Sequence, residues 1–314
     1  MSLQQPKPRP WLIAAWPGMG NVAVLAVTHL IEQLRMNPCG ELDTTPFFEA
    51  TEVQVRSGLT HRVELPRGLF FCWSNPGRGR DLVVFIGEAQ PQTGTLEYAR
   101  EVVLEAKKRD VERVVTFASL ASAMHPSLPS KVSGVATDTV TLDELRRAEV
   151  RASPDGQIGG LNGLLLIAAA NLGVSGFCLL ADIPYFAMRV ANPKAARAAL
   201  SVFSLLAEVD IPLEKLDAQA AIVDRALIEA LEQMEQSLGE DAPSASRDEE
   251  EKPEVSPPED EKALSEPDRA RIERLFDAAK KNQGKAVALK KELDRLGVFP
   301  EYEGRFLDLF RRTE

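Results

Sequence analysis

From Trp11 to about Leu238, short apolar runs alternate with stretches in which apolar residues recur every three or four positions. Short runs bounded by turn formers read as strands, and the three-to-four period reads as helix. The pattern predicts strands at Trp11–Ala15, Phe47–Arg56, His61–Leu65, Leu69–Trp73, Asp81–Ile86, Arg113–Phe117, Ser133–Thr137 and Gly176–Leu180. Helices are predicted between them at about Asn21–Arg35, Thr95–Arg109, Leu142–Ala148, Asn162–Leu172, Pro193–Val209 and Leu216–Leu238. The runs at Trp11–Ala15, Leu82–Ile86, Val114–Phe117 and Phe177–Leu180 are almost continuously apolar. Strands of that kind are covered on both faces, which predicts an α/β fold: a mixed, largely parallel sheet flanked by helices. A hairpin at Val53–Arg56, turning on Ser57-Gly58, is expected to make the sheet mixed.

Past Leu238 the pattern breaks. Residues 239–264 hold almost no large apolar side chains, four prolines and a dense negative charge, so they cannot offset their ordering entropy and are expected to be disordered. The net charge of −10 is concentrated there: ten acidic residues face three basic ones between Gly239 and Lys262. No basic face remains for nucleic acid. Helical periodicity returns at Ser265-Glu-Pro-Asp268, a hydroxyl cap with proline and acids in the first turn. Ile272, Leu275, Phe276 and Ala279 form one stripe, a second helix runs from about Lys285 to Leu296, and a third lies near Glu301–Arg312. The expected organisation is a flexible arm (1–10), an α/β domain (11–238), an acidic linker (239–264) and a helical tail (265–314). The tail is expected to dock on its own body or on another chain.

No apolar run reaches the roughly 18 residues that a membrane helix needs. The longest, Leu161–Leu172, is broken by Asn162, Gly163 and Asn171. The first ten residues lack an apolar signal core. Cys39, Cys72 and Cys178 are odd in number and widely spaced, and are expected as buried free thiols of a reducing compartment. The expected location is cytoplasmic. There is no CxxC, and His29, His61 and His125 are scattered, so neither a metal site nor a cofactor is expected.

Ligands of open α/β sheets bind beyond the carboxyl ends of the parallel strands. Trp16-Pro-Gly-Met-Gly-Asn21 follows the first strand, and a glycine turn opening a helix offers free amides and a positive dipole end. Gly87-Glu88-Ala-Gln90 follows another strand, Gly159-Gly160-Leu-Asn162 opens a helix, and Asp182 follows Leu180. Gly18, Gly20, Asn21, Glu88, Gln90, Gly160, Asn162 and Asp182 are therefore the candidate ligand-binding residues. Glycines after strands also serve simply to turn the chain, and the Asn and carboxylate residues can cap helices. PGMGN lacks the third glycine of a dinucleotide fingerprint, and no P-loop or GxSxG elbow is present. A paired-carboxylate hydrolase using Glu88 with Asp182 or Glu49 stays open. No residue is assigned as catalytic.

Four segments in order, WPGMGNVAVLAVTHLIEQL, VVFIGEAQPQTG, GGLNGLLL from Gly159 and LLADIP from Leu179, resemble the proteasome assembly chaperone 2 family, in its archaeal and bacterial branch. The resemblance covers residues 11–235. It implies an α/β domain laid out like nucleoside phosphorylases and related hydrolases, a tendency to form homo-oligomers, and, from eukaryotic and archaeal relatives, assistance in assembling proteasome α subunits. The phosphorylase likeness places Gly18–Asn21 at an anion-binding loop. Some chaperones of this group dock through a hydrophobic-Tyr-any tail. Arg311-Arg-Thr-Glu314 is no such tail, which argues against that mode of docking. The leading expectation is a non-catalytic, homo-oligomeric protein-binding module with a possible protein client. The rival is a protein that binds, hydrolyses or phosphorolyses a small anionic or nucleoside-like ligand at Gly18–Asn21.

Overall fold

The computed structural model describes residues 7–50, 53–62, 64–77, 79–240, 266–281, 285–296 and 298–309. The chain forms two units, Met1–Leu227 and Ile228–Glu314. The first holds β1 (Trp11–Ala15), α1 (Val22–Gln33), β2 (Asn37–Leu42), β3 (Val53–Arg56), β4 (Leu59–Arg62), β5 (Gly68–Trp73), β6 (Leu82–Gly87) and α2 (Thr95–Lys107). It continues through β7 (Arg113–Ser122), β8 (Val132–Ala136), α3 (Thr139–Arg147), β9 (Arg151–Ala152), α4 (Leu161–Asn171), β10 (Ser175–Pro184) and α5 (Pro193–Ala207). The long helix α6 (Glu214–Glu240) follows.

Eight strands make one sheet in the order β2-β5-β6-β1-β7-β10-β8-β9. The central four, β6, β1, β7 and β10, are parallel, as their continuous apolar runs predict. Side chains alternate across a strand, so β1 feeds two cores. Leu12, Ala14 and Trp16 pack with residues of α2 and α4, whereas Trp11, Ile13 and Ala15 pack with residues of α1 and α5. Each fully buried Leu- or Ile-sized side chain here contributes roughly 1.5–3 kcal/mol. An ion at Ile13, which is wholly enclosed, would have no partner and would break the sheet's centre.

Two expectations are corrected. The Val53–Arg56 hairpin does not join the main sheet. Among the described residues β3 and β4 pair with each other alone, and the sheet is mixed because β2 and β5 run antiparallel to their neighbours and β8 runs antiparallel to β10. The hairpin turn itself is as expected, with Ser57 and Gly58 both at positive φ. Secondly, Cys39 and Cys72 are not free thiols. They form a disulfide between the adjacent strands β2 and β5, with Cα atoms 5.7 Å apart. The register shifts between Pro38 and Gly40, so Cys39 sits in a bulge of an edge strand. Proline and glycine in Asn37–Leu42 hid this strand, and with it the proximity of the two sulfurs. Cys178 alone is free and buried. The disulfide withdraws the argument from cysteine usage for a reducing compartment. No helix among the described residues is long and apolar enough to cross a membrane.

In the second unit α7 (Glu266–Lys281), α8 (Ala286–Arg295) and α9 (Phe299–Asp308) bury Ile272 and Phe276, Leu289 and Leu293, and Phe306, respectively. Arg305 holds Glu273 through two hydrogen bonds of 2.8 and 2.9 Å and lies over the Phe276 ring, tying α9 to α7. The acidic segment expected to be disordered lies, from residue 241 onward, outside the described residues, as do residues 1–6 and 310–314.

Candidate functional site

The carboxyl ends of β6, β1, β7 and β10 lie side by side. The loops after β1 and β6 hold Gly18, Gly20, Asn21, Glu88 and Gln90, whereas Gly160 and Asn162 open α4 and Asp182, expected just past its strand, lies within β10. Beyond β1, Trp16 is 1% exposed and packs against Phe85 and Tyr98, at ring distances of 5.5 and 6.3 Å. It is a core aromatic. The chain then makes a 3-10 turn at Met19–Asn21 that opens α1. Gly20 takes φ +62°, and a Cβ there would stand 3.3 Å from Asn192 Cβ, so both backbone and space call for glycine. Its N–H donates to the Met188 carbonyl at 2.7 Å, and its carbonyl accepts from the Asn192 N–H at 2.8 Å. The Asn21 N–H donates to the Gly18 carbonyl at 2.9 Å, and the Asn21 side chain caps nothing. Gly18 itself is extended and exposed. Two amides that the sequence offered to an anion are therefore bonded within the fold.

Gln90 joins this loop to the α4 entrance. Its Nε2 donates to the Pro17 carbonyl at 2.9 Å, and its Oε1 accepts from the Leu161 N–H at 3.0 Å. Gly160, at φ +71°, makes room for it, because a Cβ there would fall 2.7 Å from Gln90 Oε1. Thr116 Oγ1 donates to the Asn162 carbonyl at 3.3 Å, and Ser119 Oγ donates to the Met19 carbonyl at 2.6 Å. Among the described residues Asn162 Oδ1 is buried without a hydrogen-bond partner, as are Trp16 Nε1, Tyr98 Oη and Ser122 Oγ near the same edge.

The carboxylates stand apart. Glu88 accepts from the Arg67 N–H at 2.9 Å and from its Nε and Nη2 at 3.0 and 2.7 Å. Those hydrogen bonds hold its carboxyl below the usual carboxylate range. Asp182 is half-buried, and desolvation pushes its carboxyl up, against a smaller opposing pull from Lys131. Glu88 follows β6 and Asp182 lies on β10, three strands away. At the usual strand spacing that is about 14 Å, beyond the roughly 5–9.5 Å that a glycosidase-type pair of carboxylates uses. The fold thus gathers Gly20, Asn21, Gln90, Gly160 and Asn162, and leaves Glu88 and Asp182 on opposite flanks. Among the described residues no group of three His, Cys, Asp or Glu side chains converges on a metal position.

Sequence reasoning missed Arg67, Met188 and Asn192 as members of this edge. Asn192-Pro193 is a legible helix start, and Asn192 Oδ1 does accept the Ala195 N–H at 2.9 Å. Nothing in the sequence ties it to Gly20.

The sequence profile of the PAC2 family matches residues 12–231, which takes in this edge and all of the sheet but Trp11. The chain belongs to the PAC2 family. It is 26% identical over 230 residues to an uncharacterised protein of Methanocaldococcus jannaschii, spanning 72% of this chain and 84% of that protein. Three solved structures share the fold. PbaB of Pyrococcus furiosus, an archaeal proteasome activator, has a TM-score of 0.61 at 24% identity, covering 72% of this chain and 96% of that one. A PAC2 family protein of Streptomyces avermitilis has 0.61 at 25%, covering 70% and 95%. A proteasome-assembly chaperone homologue of Mycobacterium tuberculosis has 0.60 at 24%, covering 70% and 94%. The PAC2 match ends before α7, so the three C-terminal helices are additional to it.

Proposed function

We propose that this PAC2 protein is a homo-oligomeric, non-catalytic protein-binding module that acts in the manner of an assembly chaperone. The observation that carries the proposal is the β3–β4 hairpin. Val53, Val55 and Leu59 are 62%, 65% and 67% exposed, and among the described residues the two strands hydrogen-bond to no third strand. An isolated two-stranded hairpin is marginal in water, and exposed aliphatic residues on one gain most from a covering chain. Family membership supports the same reading, since relatives with this fold include an archaeal proteasome activator and a proteasome-assembly chaperone homologue. The use of Gly20, Asn21 and Gln90 as internal ties supports it further.

Light scattering coupled to size-exclusion chromatography tests the assembly. We expect an oligomer at micromolar concentration that loses subunits when Val53, Val55 and Leu59 are all changed to Ser. A strict monomer for the unaltered chain overturns the proposal. Affinity capture with and without residues 239–314 then separates a client bound by the α/β unit from one bound by the tail. The partnerless Asn162 Oδ1 favours a second reading, a small polar ligand held between the first loop and α4. A thermal-shift panel of phosphate, nucleosides and nucleotides tests it, and an unchanged melting temperature throughout ends it.

A further inference from the structure

At the opposite end of the sheet, below the starts of β1 and β7, lies a cleft of about 510 Å³. That is within the range of small-ligand sites. Trp11 forms its floor, and the ends of α3 and α5 form its lip through Arg147 and Leu205. The guanidinium of Arg80 lies 4.1 Å, and that of Arg113 5.0 Å, from the centre of the Trp11 ring. Stacking of this kind holds a guanidinium plane fixed and leaves its edge N–H groups to be matched.

The hydrogen-bond inventory is lopsided. Arg80 Nη1 donates to Glu112 Oε1 at 2.7 Å and to the Arg9 carbonyl at 3.3 Å. Arg113 Nε donates to Ser175 Oγ at 3.4 Å, and its Nη1 pairs with Glu144. Each glutamate is thereby engaged through one oxygen, and Glu112 Oε1 also accepts from Trp11 Nε1 at 3.3 Å. The Nη2 groups of Arg80 and Arg113 have no acceptor among the described residues, and Arg147 has no ion pair there. Both arginines of the inner wall are only 17% exposed at the side chain, so water satisfies them poorly. Beside these donors stand Ala148, Leu206 and Leu205, the last 72% exposed. The helix ends nearby favour cations, so the field does not choose the ligand. The surplus of planar donors does, because it asks for a planar acceptor.

We propose that this cleft binds an aliphatic carboxylate, its oxygens on the free guanidinium edges and its branched hydrocarbon on Leu205 and Leu206. The carboxylate belongs either to a free small acid or to the carboxyl terminus of a partner chain. Calorimetric titration of the full-length protein with 3-methylbutanoate and with its neutral amide tests the chemistry. A peptide ending in leucine, with a free or an amidated terminus, separates the two sources.

We expect the carboxylate of at least one pair to bind about tenfold or more tighter than its amide. Arg147→Gln should abolish that preference. Leu205→Ser should weaken the carboxylate severalfold while keeping its preference over the amide. Circular dichroism confirms the fold of each variant, and the carboxylate-against-amide comparison on the unaltered protein stands without them. Binding of the small acid alone assigns a metabolite, and binding of the free-terminus peptide alone assigns a chain end. No binding of either up to about 10 mM, equal binding of acid and amide, or equal binding of inorganic phosphate overturns the proposal.

Discussion

Replacing both Cys39 and Cys72 by serine tests how the α/β unit is held together. The two residues are 33 positions apart, and their bond closes that loop in the unfolded chain. Loop-closure entropy for such a length amounts to about 3.7 kcal/mol, at the upper end of the usual 2–4. Little of the native structure should change with it. The Arg109 Nη2 still donates to the Cys39 carbonyl at 2.9 Å, and the same guanidinium still lies over Phe70 of β5. Leu42 keeps its buried place beside Phe70. The loss should therefore appear as a lower melting temperature of the α/β unit, by about 7–15 °C at roughly 2–4 °C per kcal/mol. The relative amide protection of β2 against β5 should stay as it is.

Native alkylation supplies the control. Iodoacetamide at pH 8 should label no cysteine in the unreduced protein: Cys39 and Cys72 are joined, and burial holds the Cys178 thiol up at about 12. Reduced wild type should melt with the double variant and take up label at Cys39 and Cys72 only. Melting of the double variant within about 2 °C of unreduced wild type, with the bond verified by mass, would refute the loop-entropy reasoning. Labelling of two cysteines before reduction would refute the bond.

Gly160→Ala should cost roughly 1–3 kcal/mol, because it forces a side chain into a glycine-only conformation and drives a Cβ against Gln90 Oε1; denaturant unfolding measures it. Glu88→Gln should lower stability at pH 7, whereas Asp182→Asn should not. The folded pKa of Glu88 is depressed, so its contribution is present above the ordinary carboxylate pKa and fades as pH falls through the folded value. Because the pair is half exposed, Glu88→Gln should cost at most about 1 kcal/mol at pH 7, with the gap closing in acid. The folded pKa of Asp182 is raised, so its penalty is complete above that value and is relieved as pH falls toward the ordinary 3.8. Asp182→Asn should leave stability unchanged or slightly higher at pH 7. Denaturation curves between pH 3 and pH 8 decide both.

The central strands were legible because burial on both faces writes itself as an unbroken apolar run, as in Trp11–Ala15 and Leu82–Ile86. β2 was not, since Asn37-Pro-Cys-Gly-Glu-Leu42 has neither run nor alternation. It is a strand because β5, a disulfide and Arg109 hold it. β7 and β10 extend past their predicted ends, to Ser122 and Pro184, because their last residues pair with each other. Partnership, not propensity, sets those lengths. At the candidate site the glycine turns were visible, but their use was not. The bond from Gly20 to Met188 and the bridge from Gln90 to Leu161 join segments far apart in the chain, and no local pattern encodes them.

The two ends of the sheet differ in how fully their polar groups are used, and that difference bears on function more than the glycine motif does. At the carboxyl end, where α/β folds usually place ligands, Gly20, Asn21, Gln90 and Ser119 spend their hydrogen bonds within the fold, although Asn162 Oδ1 is left without a partner. A substrate arriving there would have to break these ties before gaining its own. Each is worth about 0.5–1.5 kcal/mol, so three or four of them impose a cost comparable to millimolar affinity. At the amino end, Arg147 and the Nη2 edges of Arg80 and Arg113 have no acceptor among the described residues. A ligand gains there without displacing anything but water. This contrast favours the two proposed surfaces, the Trp11 cleft and the exposed hairpin, over a ligand at the carboxyl end, where Asn162 Oδ1 is the feature that argues the other way.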